Sequence, residues 1–289
     1  MNWDDLRLFL DVVRQPKLEQ TALKLNIDAT TLSRRLKRLE ADLGTTLFER
    51  TRRGHMLTPA GEDLAKRVEN MESLAFDIAS QNDGDLGPSG RIRIGVPEGV
   101  GTTIIAPALS EFKHLYSDIS VDLIASSGFV SVPKREADMS LLLTRPSAGR
   151  MKVRRLSDYS LGLFGTNKYL KGTRPIKTPQ DLHPHTLIGY VDDLIYSSTL
   201  RYLSDLLPDR TPDLRSTSIN AQLEMVKAGA GLAILPLFLA RQHPTLLEIL
   251  PGTFRLSRTF WLAVHEDVAA LKRNRLMSDF LGSKLHRLP

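Results

Sequence analysis

The stretch from Asp28 to Gly44 constrains this chain more than any other. Asp28 is a good N-cap and Gly44 a good helix stop, so the residues between them read as one helix. At about 100° per residue, Leu32, Leu36, Leu39 and Leu43 fall in a narrow stripe, and Thr30, Arg34, Lys37 and Arg38 fall opposite. Such a helix must pack by its leucines and turn its cations outward. A short helix over residues 18–25 precedes it, with Leu18, Ala22 and Leu25 on one side, and Asn26 and Ile27 make the turn between them. Earlier still, Asn2 caps a helix with Asp4 and Asp5 in its first turn and Trp3, Leu6, Phe9, Leu10 and Val13 at helical spacing. Pro16 ends it.

A basic hairpin follows. Residues 47–50 and 55–58 are its arms, Gly54 supplies the turn, and Arg52 and Arg53 sit at the tip. From residue 30 to 58 there are seven Lys/Arg (34, 35, 37, 38, 50, 52 and 53) against three acids (40, 42 and 49). A charge run is often only a solvated face. Here the concentration of positive charge, the tight turn in front and the hairpin behind favour a winged helix-turn-helix, its third helix in the major groove of double-stranded DNA. The candidate DNA-binding residues are Ala29, Thr30, Thr31, Ser33, Arg34, Lys37 and Arg38 on that helix and Arg50, Arg52 and Arg53 in the wing.

Thr58 and Pro59 then start a long helix, as N-cap and first helical residue. Leu64, Val68, Met71, Ala75 and Ile78 continue a seam from Gly61 at alternating spacings of three and four, up to about Ser80. Packing on its own domain would explain such a seam. A contact with a second copy explains it better, because a dimer sets two recognition helices on two half-sites. The run from Asp83 to Gly90 is a linker by composition.

From Arg91 onward, strands alternate with helices, which implies α/β layers. Strands are expected at residues 92–96, 121–125, 137–143, 160–164, 188–190, 217–219, 232–235 and 260–264, and helices after the first strand, carrying Ile104, Ile105, Leu109, Phe112 and Leu115, and at 221–228 and 267–285. The whole chain has 289 residues, a formal charge of +6 and no cysteine, so disulfides, zinc–thiolate sites and cysteine nucleophiles are excluded. The basic balance favours a polyanionic partner. No apolar run reaches membrane-spanning length, and acids stand where a signal peptide carries basic residues. A cytoplasmic protein without membrane association is expected.

The block Leu32-Ser33-Arg34-Arg35-Leu36-Lys37-Arg38-Leu39-Glu40, then Leu43-Gly44, Leu47-Phe48-Glu49-Arg50 and Leu57-Thr58-Pro59-Ala60-Gly61, resembles the LysR-type transcriptional regulators. Gly229 to Pro236 matches a further recurrent stretch of that family. The chain departs from the family with Pro16-Lys17 in place of Gly-Ser, and with Asp28-Ala29 where Ser-Gln often starts the recognition helix. Ala29 cannot hydrogen-bond, so base reading shifts to Thr30, Ser33 and Arg34.

The resemblance implies an α/β fold overall. Residues 1–58 are a winged helix-turn-helix, 59–90 a dimerisation helix and hinge, and 91–289 a two-lobed, periplasmic-binding-protein-like effector domain. One lobe takes about 91–160 plus 266–289, the other about 161–265. It also implies a ligand-responsive regulator, homodimeric and expected to reach a homotetramer. A small-molecule effector, expected to be an organic anion, sits between the lobes. Its candidate residues are Gly99, Thr102, Thr103, Ser126, Ser127, Phe129 and Asn220, at strand ends and helix starts where free N–H groups attract anions. Those hydroxyls serve equally well as helix caps.

A catalytic or small-molecule-binding α/β protein using its N-terminus only to dimerise is the alternative. Its support is thin. Gly99-Val100-Gly101-Thr102-Thr103-Ile104 lacks the third glycine of a dinucleotide fingerprint, and the Ser-x-x-Lys match at Ser131 to Lys134 is isolated. His183 and His185 only flank a proline. No enzyme, cofactor or metal site is expected.

Overall fold

A computed structural model describes residues 2–15, 17–51, 54–82, 88–128, 137–147, 149–286 and 288–289. The chain divides into two compact units, residues 1–86 and 87–289.

The first unit runs α1 (Trp3–Arg14), α2 (Leu18–Lys24), α3 (Ala29–Leu43), β1 (Phe48–Thr51), β2 (Gly54–Leu57) and α4 (Pro59–Asn82). Asn2 caps α1 by accepting the Asp4 N–H at 3.2 Å. The buried face of α1 is broader than its sequence stripe. Leu8 and Val12 join Leu6, Phe9 and Leu10 inside, whereas Trp3 is exposed, because α1 packs against α2, α3, α4 and β2 together. Asn26 takes a left-handed φ of 53° in the turn before α3. Gly44 ends α3 at φ 64°, a conformation that costs glycine nothing. Leu32, Leu36 and Leu39 are buried as their spacing requires, but Leu43, at the end of the stripe, is exposed.

Strands β1 and β2 pair antiparallel from Phe48↔Leu57 to Thr51↔Gly54. Thr58 caps α4 by accepting the Gly61 N–H at 3.0 Å, and its hydroxyl donates to the Thr46 carbonyl at 2.7 Å. The seam on α4 is partly internal. Val68 is 1% exposed and Ala65 6%, both packed in the unit's core, while Met71 is 44% exposed. Val68 therefore cannot serve as the partner contact its spacing suggested, since the first half of α4 covers α1 and β2. Arg14 pins α4 further along with two hydrogen bonds to Glu72, at 3.2 and 2.5 Å. Ala75 is exposed, and Ile78 is described by its backbone alone.

A β-carbon on Gly61 would lie 2.2 Å from the Leu47 carbonyl oxygen and 2.9 Å from Leu57 Cδ2. Gly61→Ala is therefore expected to cost about 1–3 kcal/mol through overpacking against backbone. A urea titration of the purified variant checks this, and an unchanged midpoint would show that the helix start shifts freely.

The second unit runs β3 (Gly90–Pro97), α5 (Glu98–Val100), a π-helical turn (Gly101–Ile105), α6 (Ala106–Leu115), β4 (Ile119–Ser126), β5 (Met139–Leu142), β6 (Met151–Thr166), α7 (Asn167–Leu170), β7 (Leu187–Gly189), α8 (Tyr202–Leu206) and β8 (Leu214–Arg215). It continues with α9 (Ile219–Lys227), β9 (Leu232–Pro236), α10 (Leu237–Ala240), β10 (Leu246–Ile249), β11 (Leu256–His265), α11 (Glu266–Ala269) and α12 (Lys272–Leu285).

Among the described residues of this unit, nine strands form one mixed sheet in the order β4-β3-β5-β11-β6-β9-β7-β8, with β10 on β6. Strand β3 is parallel to β4 and β5, and β7 is parallel to β8 and β9. The antiparallel pair β6–β11 runs between these two groups and carries a register shift between Phe260 and Trp261. Residues 261–264 pair with β5, while Leu161–Phe164 pair with β9. Two long strands thus join two parallel halves.

Several elements differ from their sequence outlines. Strand β6 is far longer than residues 160–164, and β10 has no counterpart among the expected strands. The expected strand at 217–219 is absent, because Ser218 is an N-cap and Ile219 opens α9. The last helix is broken into α11 and α12.

Candidate DNA-binding surface and effector cleft

The position of α3 is set by a buried carboxylate. Asp5, 1% exposed, accepts Arg35 Nε at 2.6 Å and Arg38 Nη2 at 2.6 Å. Burial alone would raise this carboxyl. The hydrogen bonds from Arg38 and Arg35 outweigh it and hold the carboxyl below the usual aspartate value. Asp5 looks in the sequence like a helix-dipole acid; it is instead the clamp between α1 and α3. Glu40 holds the other end of α3, accepting the Leu47 and Phe48 N–H groups at 2.7 and 3.2 Å and so fixing where the wing departs. The Phe48 ring lies 5.3 Å from that of Phe9.

The exposed residues of α3 are Thr30, Arg34, Lys37, Arg38, Ala41, Asp42 and Leu43. Among the described residues neither Arg34 nor Lys37 has an ion-pair partner. Arg38, grouped with them from the helix phase, is tied to Asp5 although its side chain stays 56% exposed. Asp28 caps α3, accepting the Thr30 N–H at 2.7 Å and also the Thr30 hydroxyl. That hydroxyl therefore spends its proton within the protein. Ala29, Thr31 and Ser33 are half-buried. Arg50 belongs to β1 by its backbone, and Arg52 and Arg53 lie outside the described residues.

In the second unit, the candidate residues around the first strand end meet α9 directly. Glu98 Oε1 accepts the Ser218 hydroxyl at 2.9 Å, and Oε2 accepts the Ile219 N–H at 3.1 Å. Thr102 Oγ1 accepts Asn220 Nδ2 at 3.2 Å and donates to the Glu98 carbonyl at 2.9 Å. A β-carbon on Gly99 would stand 3.1 Å from Ile219 Cγ2. Strand end and helix start are thus latched together, with Thr102 and Asn220 acting as a bridge. The anion-attracting N-terminus of α9 already holds a carboxylate, that of Glu98.

Beside this latch lies a cleft with about 30 Å³ of room. Gly99 and Ser127 of the expected set line it; Thr102, Thr103, Ser126 and Asn220 do not, and Phe129 lies outside the described residues. Ser126 instead accepts the Gly128 N–H at 3.0 Å, a local turn contact. The residues missed from sequence are aromatic: Tyr159, Tyr190, Tyr196, Tyr202, Phe238 and Phe260 all line the cleft, with Glu98. Four of the chain's six tyrosines are therefore here. Their clustering at 190, 196 and 202 was the signal available. Tyr159 stacks on Phe260 at 4.2 Å and 16°, and Tyr190 meets Tyr202 edge-on at 5.8 Å. Burial pushes the Tyr159, Tyr190 and Tyr202 hydroxyls up, and burial with the Glu98 charge pushes Tyr196 up to about 12. All four stay neutral at physiological pH.

Two family models cover the chain. Residues 3–62 match the bacterial regulatory helix-turn-helix protein of the lysR family, and residues 86–285 match the LysR substrate binding domain. The chain belongs to the LysR family. It is similar to the Mau operon transcriptional activator of Paracoccus denitrificans, 28% identical over 83% of this chain and 81% of that one. It is also similar to the transcriptional regulator PtxR of Pseudomonas aeruginosa, 27% identical over 87% of this chain and 83% of that one. Among solved structures, CrgA of Neisseria meningitidis shares the fold at a TM-score of 0.61 and 21% identity, covering 99% of this chain and all of that one. A cysteine-to-aspartate variant of full-length OxyR from Pseudomonas aeruginosa does so at 0.68 and 16%, covering 99% and 94%.

The family places the chain among DNA-binding transcriptional regulators with a ligand-binding domain, not among enzymes. Among the described residues no helix is long and apolar enough to cross a membrane.

Proposed function

We propose that this LysR-family regulator acts as a cytoplasmic homodimer, setting two copies of α3 into successive major grooves of a dyad-symmetric site. The observation that supports the reading is the exposed Arg34–Lys37 face of α3, without an ion-pair partner among the described residues, opposite a leucine face committed to the unit's core through Leu32, Leu36 and Leu39. Arg34 is the base-edge or phosphate contact, Lys37 a phosphate contact, and Arg38 a helper whose first duty is to Asp5. Ala29, Thr31 and Ser33 complete the reading face. Thr30 contributes its methyl group and an acceptor, since its proton is engaged. The same reading gives Arg50, Arg52 and Arg53 the role of backbone or minor-groove contacts.

The second copy pairs along α4 beyond Val68, where Met71 and Ala75 are exposed. Further pairing through the second unit yields a tetramer. A small-molecule effector enters between the two halves of that unit, at the cleft next to Glu98 and Gly99, with Ser127 on its wall. A helix start already holding a carboxylate argues against the organic anion expected from the sequence.

Arg34→Ala is expected to weaken specific binding by about 1–3 kcal/mol. A gel-shift titration measures this on a genomic fragment selected by the unaltered protein, at fixed salt because phosphate contacts make affinity salt-dependent. Equal affinity of Arg34→Ala and Lys37→Ala with the parent would show that α3 does not dock as described.

A further inference from the structure

The charge distribution around the cleft points to one class of ligand. Among the described residues that line it, Glu98 alone carries a charge at neutral pH; no lysine, arginine or histidine is present. Arg258 is a cation whose charge acts on Tyr159 and Tyr202 of this lining. It is engaged elsewhere, with Asp205 Oδ2 at 2.5 Å and the Thr199 carbonyl at 3.3 Å. The four tyrosine hydroxyls hold their protons, so they add no second negative charge and no positive one.

An anion entering this space would meet the Glu98 charge and find the N-terminus of α9 taken. A cation meets the reverse. Each Glu98 oxygen is engaged with one protein donor, and a carboxylate accepts about four hydrogen bonds in all, so lone pairs remain. Six aromatic rings surround the same space, and the faces of such rings attract cations most strongly where water is excluded.

The room of about 30 Å³ is close to the share of one water molecule, so a wall has to move. Tyr196 is that wall. It is half-buried, and it also lines a neighbouring space of about 100 Å³. Tyr190, Leu200 and Tyr202 are shared in the same way with a third space of about 340 Å³. Turning the Tyr196 ring aside would merge the first two spaces without disturbing the buried stack of Tyr159 on Phe260.

We propose that the effector of this regulator is an organic ammonium ion, held between the Glu98 carboxylate and the aromatic walls of the cleft, with Tyr196 as the ring that gives way. The inference rests on the cleft being the effector site.

The test is calorimetric titration of the full-length protein with three probes: benzyltrimethylammonium, benzoate and benzyl alcohol. The cation is expected to bind saturably and at least tenfold more tightly than either of the others. Glu98→Gln, which keeps an acceptor for α9, should weaken the cation at least tenfold and change benzyl alcohol by less than twofold. Tyr196→Ala, at a half-buried position on the edge of the core, should weaken the cation while thermal unfolding stays cooperative. Tighter binding of benzoate, lost in Tyr196→Ala, would overturn the ligand class and leave the cleft as the effector site. Cation binding indifferent to both substitutions would overturn the cleft itself. Absence of binding by all three probes would overturn the ligand class.

Discussion

Replacing Asp5 with alanine is expected to lower the unfolding free energy of the first unit by about 2–3 kcal/mol. The carboxylate is buried, and it holds two guanidinium groups at 2.6 Å each. Removing one partner of a fully buried ion pair costs about 3–5 kcal/mol, because the other charge is stranded. Here the arginines keep access to water, Arg38 with 56% and Arg35 with 27% of the side chain exposed, so neither is stranded and the cost is smaller.

The clamp also has a pH signature. Asp5 is held below the usual aspartate value in the folded state. Its contribution is complete above the unfolded value of about 3.9 and is lost as pH falls through the lower folded value. Asp5→Asn removes that acid limb. Urea unfolding of the full-length protein from neutral to acid pH, with hydrogen exchange of the α1 and α3 amides to localise the loss, reads both effects. A variant as stable as the parent at neutral pH would show that leucine packing alone positions α3. If the clamp holds, DNA affinity should fall further than the loss of stability predicts, since α3 loses the anchor that positions it and Arg38 the partner that orients it.

The second large effect is expected at the cleft. Phe260→Ala should destabilise the second unit by about 3–5 kcal/mol, the usual range for deleting a buried phenylalanine. Phe260 is 1% exposed, stacks on Tyr159 at 4.2 Å and stands 6.3 Å from Phe238. It lies on β11 at the register shift where the strand passes from β5 to the other half of the sheet. The lost ring would leave a cavity next to the cleft with few side chains free to fill it. Trp261 is adjacent and reports the transition by fluorescence in a urea titration. A loss below about 1 kcal/mol would mean that the cleft collapses readily. Phe260→Leu, which keeps most of the volume, should cost less.

The DNA-binding unit was largely legible because its signals are local. Asn2, Asp28, Gly44 and Thr58 act on their own helix ends, and all four do so as their positions suggest. The leucine stripe of α3 is a periodicity, and periodicity survives folding until a helix end, which is where Leu43 escapes it. The clamp at Asp5 was not legible because its partners lie at 35 and 38, and no local pattern links residues so far apart. The α4 seam is apolar in sequence and structure alike, but a spacing of three and four does not say which neighbour covers it.

The aromatic cleft was less legible. Gly99 and Ser127 were reached by looking at strand ends, a rule about topology. Tyr159, Phe238 and Phe260 come from three separate strands and helices that meet only after β6 and β11 cross the sheet. Glu98 sits one residue before an expected site residue and is not selected by that rule, since an acid is not what an anion site needs. Only its contact with Ser218 and Ile219 reveals that it occupies that site itself.

By itself the sequence determined the recognition helix, its two faces, the wing that follows it and the family, because caps, periodicity and a contiguous motif act over a few residues. The tertiary structure decided which arginines of that helix are held by Asp5 and which are not. It also decided which part of α4 is buried in its own unit, and that the cleft is walled by tyrosines around a carboxylate. Those outcomes depend on which distant residues share a burial site, and a buried charge is settled by the neighbours that desolvate and pair it rather than by its place in the chain.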